Sequence, residues 1–457
     1  MLDKYQQEIV EQRCNMLVIA GPGAGKTTTI ISKVNYLLMN VKEDKILLIS
    51  FTNQSVNDIK GRINANVKVM TFHKLAIDIL KYNHINYQIC SEKLLDYIIN
   101  EYFQTLDIKD KNEIITYLQI PAFNKKYYYS LTKLIKSFIF LFKTNNHQLD
   151  TLKKIVNNEH DKLLIRHIIK IFYLYEEEKN STSTFDFDDL IIKATNLLKE
   201  KYNYYSFKEI IIDEFQDTSL IRLNLIKELY YHNNCHITAV GDDAQSIYAF
   251  TGCDLNIFLN FQNYFPDVKI LYLRNTYRNS KELVYLTEQF IEKNPLQLKK
   301  KMHSNISVKS PIEIIYYLNP KKAILKLLNK LPLDKVLILM RNKSDLKMYL
   351  SAKLYIKDNL LYYKDTEISY LTIHSAKGLE KEYVIILNVS DSLLGIPNHL
   401  EDHYLLKYLK RDIDKYPFSE ERRVFFVALT RCKIKTYLLV PFVNSSPFVR
   451  ELKHLIL

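Results

Sequence analysis

This 457-residue chain contains only 8 glycines, and three of them, Gly21, Gly23 and Gly25, fall within five residues. Average proteins are roughly 7% glycine, so a chain this poor in it that crowds three into one loop needs backbone freedom there. Before the loop stands MLVIA (Met16 to Ala20), a short unbroken apolar run that predicts a buried strand. After it comes TIISKVNYLLM, with apolar Ile30, Ile31, Val34, Leu37 and Leu38 at helical spacing. Strand, GPGAGKTTT and helix together form the setting of a phosphate-binding loop. Gly21, Pro22, Gly23, Ala24 and Gly25, with Lys26, Thr27 and Thr28 at the helix start, are expected to cradle phosphate oxygens. Lys26 would reach the β- and γ-phosphates, and the Thr27 hydroxyl would face Mg²⁺. Ala20 takes the first position of the strict GxxxxGK[ST] pattern, a small residue that the looser form accepts.

A second apolar run, Glu209 to Ile212, ends in the acidic pair Asp213 and Glu214. Carboxylates at a strand's C-terminal end lie on the ligand edge of an open α/β sheet. Asp213 is expected to hold Mg²⁺ through its water shell, and Glu214 to polarise an attacking water as general base, which suits hydrolysis. A third run, HITAV, leads into GDDAQSIYAF and sets Gln245 just past a strand end, where it can sense a γ-phosphate.

The ordered segments QQEIV, AGPGAGKT, ISFTNQSVNDI, VMTFHKLA, IIDEFQDT, VGDDAQSIYAF, LRNTYRNS, TIHSAKGLE and EERRVFFVALTR resemble a UvrD/Rep-type superfamily 1A DNA helicase, from Leu2 to about Leu452. The resemblance implies an α/β fold of two RecA-like P-loop NTPase lobes with an inserted helical subdomain, 1B. Lobe 1A would comprise residues 1–83 and 186–273, the insertion 84–185, and lobe 2A residues 274–457. It implies ATP and Mg²⁺ as cofactors and 3′–5′ movement on single-stranded or tailed duplex DNA. Tyr277 would stack on adenine, Gln6 would read its edge, Glu380 would meet the ribose, and Arg278 and Arg431 would meet the γ-phosphate. Phe51, Asn53, Phe72, His73, Tyr248, Phe250, Arg341 and His374 match strand-contacting positions. Stacking on aromatics beside a basic track is how single strands bind without sequence preference, yet in a chain with 34 Tyr and 22 Phe an aromatic is more often core.

Two departures stand out. The family commonly has Trp-Arg where this chain has Phe250-Thr251, and no Trp occurs anywhere. Family members also carry a large insertion, 2B, before TIHSAKGLE, whereas the stretch from Arg341 to Thr372 is too short for a domain. No nuclease or partner-binding tail is expected after the final helical segment NSSPFVRELKHLIL. The expectation is a minimal motor, for which a monomer is favoured and a protein loading partner is open.

Composition bounds the class. A net charge of +13 suits a polyanionic partner, and equally a lysine-rich solvated surface. Five scattered cysteines without a CxxC pair argue for a reducing, intracellular compartment and against a disulfide framework or a structural zinc. No apolar run reaches the ~18–20 residues of a membrane span, and the charged N-terminus is no signal peptide. Within the insertion, LLDYIINEYF and LIKSFIFLF read as helices, and FNKKYYYSLTKLIK either faces duplex DNA or is an amphipathic helix with a wet side, the second being favoured. LQLKKKMHS is a second basic patch with the same two readings. The rivals to a helicase are a translocase that strips proteins from DNA, a non-catalytic DNA-binding scaffold and a small-molecule P-loop kinase, and RNA remains an alternative substrate.

Overall fold

The computed structural model describes residues 2–119, 125–156, 158–410 and 414–456. The unbroken apolar runs form the strands expected of them, because strands buried on both faces need no polar alternation. Six parallel strands make the first sheet, in the order Lys68–Met70, Ile46–Ile49, Glu209–Ile212, His236–Gly241, Met16–Ala20, Lys269–Leu273. Helices cover both faces and bury one apolar core on each side. The phosphate-binding loop and the acidic pair leave adjacent regions of this sheet at its carboxyl edge, where open α/β sheets bind ligands.

The second sheet has seven strands, and its parallel part runs Thr366–Thr372, Val336–Met340, Lys381–Ile386, Cys432–Pro441, Ile312–Tyr317. Two antiparallel strands, Leu360–Tyr363 and Leu354–Lys357, extend its edge. Their turns, Asp358-Asn359 and Lys364-Asp365, are two-residue loops with positive φ at both positions. That backbone matches the twist of a tight hairpin. The residues between Arg341 and Thr372 are thus spent on a short 3₁₀ segment and a meander. The α/β architecture of two sheets holds as expected.

Between Leu94–Thr105 and Glu159–Ser181 lie Ile108–Leu118, Lys125–Thr144 and Leu149–Ile155, five helices around a core of their own. Leu131, Leu134 and Ile135 are buried while Tyr129 is exposed, so FNKKYYYSLTKLIK contains an amphipathic helix with a wet side; its Phe123 and Asn124 lie outside the described residues. At the base, Lys143 and Lys179 are buried among Glu176, Asp186 and Asp189. These three carboxylates are close enough to hold a metal, but each is already paired with both ammonium groups. Among the described residues no helix is long and apolar enough to cross a membrane.

One packing relation was not expected. Leu405, Leu406 and Leu409, which follow the central strands of the second sheet, complete the core of the helical insertion. Tyr404 and Tyr408 donate hydroxyl hydrogen bonds of 2.9 and 2.7 Å to the buried Asp161 carboxylate, and the Leu409 carbonyl lies 2.9 Å from Asn145 Nδ2 and from His147 Nε2.

Candidate nucleotide and strand-binding cleft

The phosphate-binding loop is shaped by its glycines. Gly23 and Gly25 have φ of 69° and 76°, left-handed values that L side chains rarely adopt. Gly25 precedes the helix Lys26–Leu37 directly, so the loop turns its amides toward the helix N-terminus. A β-carbon on Gly23 would lie 2.5 Å from Arg278 Cβ and 2.8 Å from Thr276 Oγ1. The loop is therefore tight because residues after the first sheet close over it: Thr276 Oγ1 donates to the Pro22 carbonyl at 2.8 Å, and Tyr277 N to the Gly23 carbonyl at 2.9 Å. Gly21 packs against Met302, and Ala24 is buried.

Lys26 Nζ lies 2.8 Å from Glu214 Oε1. Burial alone would lower the Lys26 pKa, but Glu214, Asp213 and Asp242 more than offset it and hold the ammonium above its usual range. Burial also pushes the neighbouring carboxylates up, and they then part. The Lys26 and Lys377 charges pull Glu214 down, while the Glu214 charge adds to burial and raises Asp213. Glu214 has a left-handed backbone (φ 51°) and accepts from Gln216 Nε2 at 2.5 Å. Thr27 is half-buried beside Lys26 and has no side-chain hydrogen bond among the described residues; Thr28 is exposed, 3.5 Å from Arg62 Nη2.

Gln6 and Tyr277 flank Gly25. Gln6 Nε2 lies 2.8 Å from where a Gly25 β-carbon would stand, and the Tyr277 ring 3.6 Å. Tyr277 is 56% exposed, with its hydroxyl donating to Asp3 at 2.6 Å, so an open aromatic face stands beside the loop. Arg278 Nε bonds Glu380 Oε2 at 2.5 Å, and Glu380 also pairs with Lys433. Arg431 is 1% exposed and donates from Nη2 to Gln245 Oε1 at 3.2 Å, joining the two lobes. Burial and then the Arg278 charge press down on its pKa, but a guanidinium stays protonated in proteins.

The aromatic positions divide. Phe51 stacks on Tyr248 at 5.9 Å, Phe250 meets Tyr248 at 6.1 Å, and His374 from the second lobe lies 5.6 Å from Phe250. This is a continuous run of rings across the lobes, with Phe250 56% exposed and Asn53 exposed at the start of the next helix. Phe72 is a correction: at 4% exposure it packs into the first lobe's core, where an apolar ring is worth more than at a wet edge. His73 sits beside Phe187 at 5.4 Å, outside the ring run. Arg341 is not a free cation, since Glu421 holds it through Nε and Nη2 at 2.7–3.1 Å.

Sequence reading missed the lysine that ties the acidic loop and Gln245 to the rings. Lys377 Nζ binds Asp217, donates to the Gln245 carbonyl at 2.7 Å and lies 4.8 Å from the Tyr248 ring centre. It sits inside TIHSAKGLE, but its partners are more than a hundred residues away in the chain. Lys300, read as part of a basic surface patch, is buried against Asp242 and Asp243.

Residues 2–266 match the UvrD/REP helicase N-terminal domain, and residues 355–441 the UvrD-like helicase C-terminal domain. DNA helicase IV of Escherichia coli (strain K12) is 26% identical, over 98% of this chain and 69% of its own. The ATP-dependent DNA helicase Rep of Buchnera aphidicola subsp. Schizaphis graminum is 27% identical, over 86% and 61%. The ATP-dependent DNA helicase SRS2 of Saccharomyces cerevisiae is 31% identical, over 60% and 25%. The chain thus spans between 25% and 69% of the length of these relatives.

Proposed function

The chain belongs to the UvrD/REP helicase family, and on that premise we propose that it hydrolyses ATP to move 3′ to 5′ along single-stranded DNA and to open duplex ahead of it. The observation that carries this reading is the bridge from Arg431 to Gln245 beside the Lys26–Glu214 pair. Charges from both lobes act on one another here, so a nucleotide can draw the lobes together and its hydrolysis can release them.

In this reading, Lys26 leaves Glu214 for the β- and γ-phosphates, and Glu214, freed of its counter-ion, orients and deprotonates water. Gln245, Arg278 and Arg431 stabilise charge on the transferring phosphoryl group. Asp213 and Thr27 would hold Mg²⁺, which supplies charge neutralisation of the phosphates. The donor set fits a hard cation, being a carboxylate and an unengaged hydroxyl. Gln6, Tyr277 and Glu380 orient the nucleoside. The rings of Phe51, Tyr248, Phe250 and His374 take the bases, and Lys377 connects them to the hydrolysis loop.

Strand displacement with ATP and Mg²⁺ on duplexes with a 3′ or a 5′ tail, read beside DNA-stimulated ATPase, tests the proposal. Displacement from the 3′ tail alone, absent in Lys26→Ala, is expected; displacement from the 5′ tail alone, or ATPase that DNA does not stimulate, overturns it. A second reading, translocation that strips bound proteins without opening duplex, is favoured by the short meander between Arg341 and Thr372. It predicts stimulated ATPase and clearing of protein-blocked single strands with no displacement.

A further inference from the structure

Arg222 lies in the first turn of the helix Leu220–Asn233, directly after the acidic loop. Its guanidinium sits over the Phe51 ring, 4.9 Å from the centre, and 5.9 Å from that of Phe72. Nη1 donates to the Asp217 carbonyl at 3.1 Å and lies 4.0 Å from Cys253 Sγ. On the other side of that thiol is Thr251, whose hydroxyl is 3.3 Å away. Among the described residues Arg222 has no ion pair, and its buried Nε has no hydrogen-bond partner. Three other arginines of the cleft are matched by acids, Arg278 with Glu380, Arg341 with Glu421 and Arg423 with Asp414. Arg431, which has no ion pair among the described residues, donates instead to Gln245 and to backbone carbonyls. Asp188 feels the Arg222 charge but forms no ion pair with it, so the guanidinium is incompletely compensated, and a planar donor fork held flat on an aromatic ring is suited to a phosphate.

The place is as telling as the missing partner. The Phe51 ring that supports Arg222 is also stacked on Tyr248, the start of the ring run toward Phe250 and His374. Arg222 therefore stands at the first-lobe end of that run, where Thr251 brings no charge. Its field reaches the neighbouring His73, whose pKa burial and then the Arg222 charge lower to about 4, leaving that imidazole neutral beside it.

We propose that Arg222 binds a backbone phosphate of the single strand whose bases stack along Phe51, Tyr248 and Phe250. The inference rests on the strand-binding reading above and adds to it a named phosphate contact from a helix outside the aromatic segments. Arg222 positions the strand against the rings and takes no part in hydrolysis.

The test is the salt dependence of binding. Fluorescently labelled oligo(dT) is titrated by anisotropy without nucleotide at several KCl concentrations, with the wild type, Arg222→Gln and Arg222→Lys. Loss of one contact makes the slope of log K against log[KCl] shallower by about 0.7, because one fewer counterion is released. Arg222→Gln is expected to show that change and about tenfold weaker binding, and Arg222→Lys to keep the wild-type slope. An unchanged slope in Arg222→Gln overturns the proposal, even if affinity or stability falls, because a residue that only braces the Asp217 carbonyl would behave so. Arginine-selective modification of the wild type, mapped by mass spectrometry, needs no variant to fold. Oligo(dT) should protect Arg222, and inorganic phosphate at equal ionic strength should not; absent protection, or equal protection by both, overturns the assignment. A wild type that binds no strand would overturn the motor reading as well, whereas an unchanged slope on a wild type that binds overturns this inference alone.

Discussion

The two lobes meet at the nucleotide cleft and again where the second lobe touches the helical insertion, and the two meetings are made of different material. At the cleft charged and polar contacts, Arg431 on Gln245, Lys377 on Asp217 and Lys300 on Asp242, stand beside apolar ones, with Ile247 in the second lobe's core and Ala244 against Ile291 and Phe426. At the insertion they are Leu405, Leu406 and Leu409 in a leucine- and isoleucine-rich core, with tyrosine hydroxyls on one buried carboxylate. Charged groups can trade one partner for a phosphate without losing packing. Buried leucines cannot leave their core without giving up about 25 cal/mol per Å² of apolar surface. The charged part of the first meeting has partners it can exchange, whereas its apolar part and the second meeting do not.

The largest expected effect breaks the cleft alone. Lys26→Ala should lower the ATPase kcat on the order of 10³-fold, as loss of a buried donor to transition-state charge does, with single-strand affinity largely kept. Glu214→Gln should lower kcat by about 10²–10⁴-fold through loss of the general base. If either variant turns over ATP normally in a steady-state assay, the cleft has been misread.

The persistent meeting breaks differently. Leu405→Ala removes a fully buried side chain and should cost about 2–5 kcal/mol in denaturant unfolding. A loss below about 0.5 kcal/mol, typical of a surface site, would mean that the segment lies on the insertion without supporting it.

Two titrations sharpen the contrast. At the insertion's base, Asp188 accepts from Thr144 Oγ1 at 2.8 Å and burial raises its pKa to about 6. The fold favours its neutral form, so its cost is absent below the unfolded value near 3.8 and grows as pH rises to about 6. Asp188→Asn should therefore stabilise by about 2 kcal/mol at pH 7.5 and leave stability unchanged near pH 4, read from paired thermal melts. In the cleft, burial and the Glu214 charge raise Asp213 above the usual carboxylate range. If Asp213 holds the metal, which needs the ionised carboxylate, apparent Mg²⁺ affinity in ATPase assays should fall as pH drops from 8 to 6, up to about tenfold per unit. A flat profile between pH 6 and 8 would show that Asp213 stays ionised without metal.

The nucleotide loop was legible because its parts are contiguous. Met16–Ala20, the glycines and the helix from Lys26 follow one another, and local spacing is enough to specify them. The acidic pair was legible for the same reason, as the end of one apolar run. Phe72 was not, since TFHK has the same spacing whether its ring faces solvent or core. The hydrophobic core of the first lobe claims that ring, while two residues of similar appearance, Phe51 and Phe250, remain at the ring run.

By itself, then, the sequence determined the strands, the loop, the acidic pair and the membership of the family, all written in short consecutive segments. Only the tertiary structure decided that Lys377 faces Asp217, that Lys300 is buried, that Arg222 forms no ion pair among the described residues and that Leu405 serves the insertion's core. These are relations between residues brought together by packing: 160 positions separate Lys377 from Asp217, and 243 separate Tyr404 from Asp161. No local period carries such an apposition, because it is set by how two sheets and a helical insertion bury their surfaces against one another.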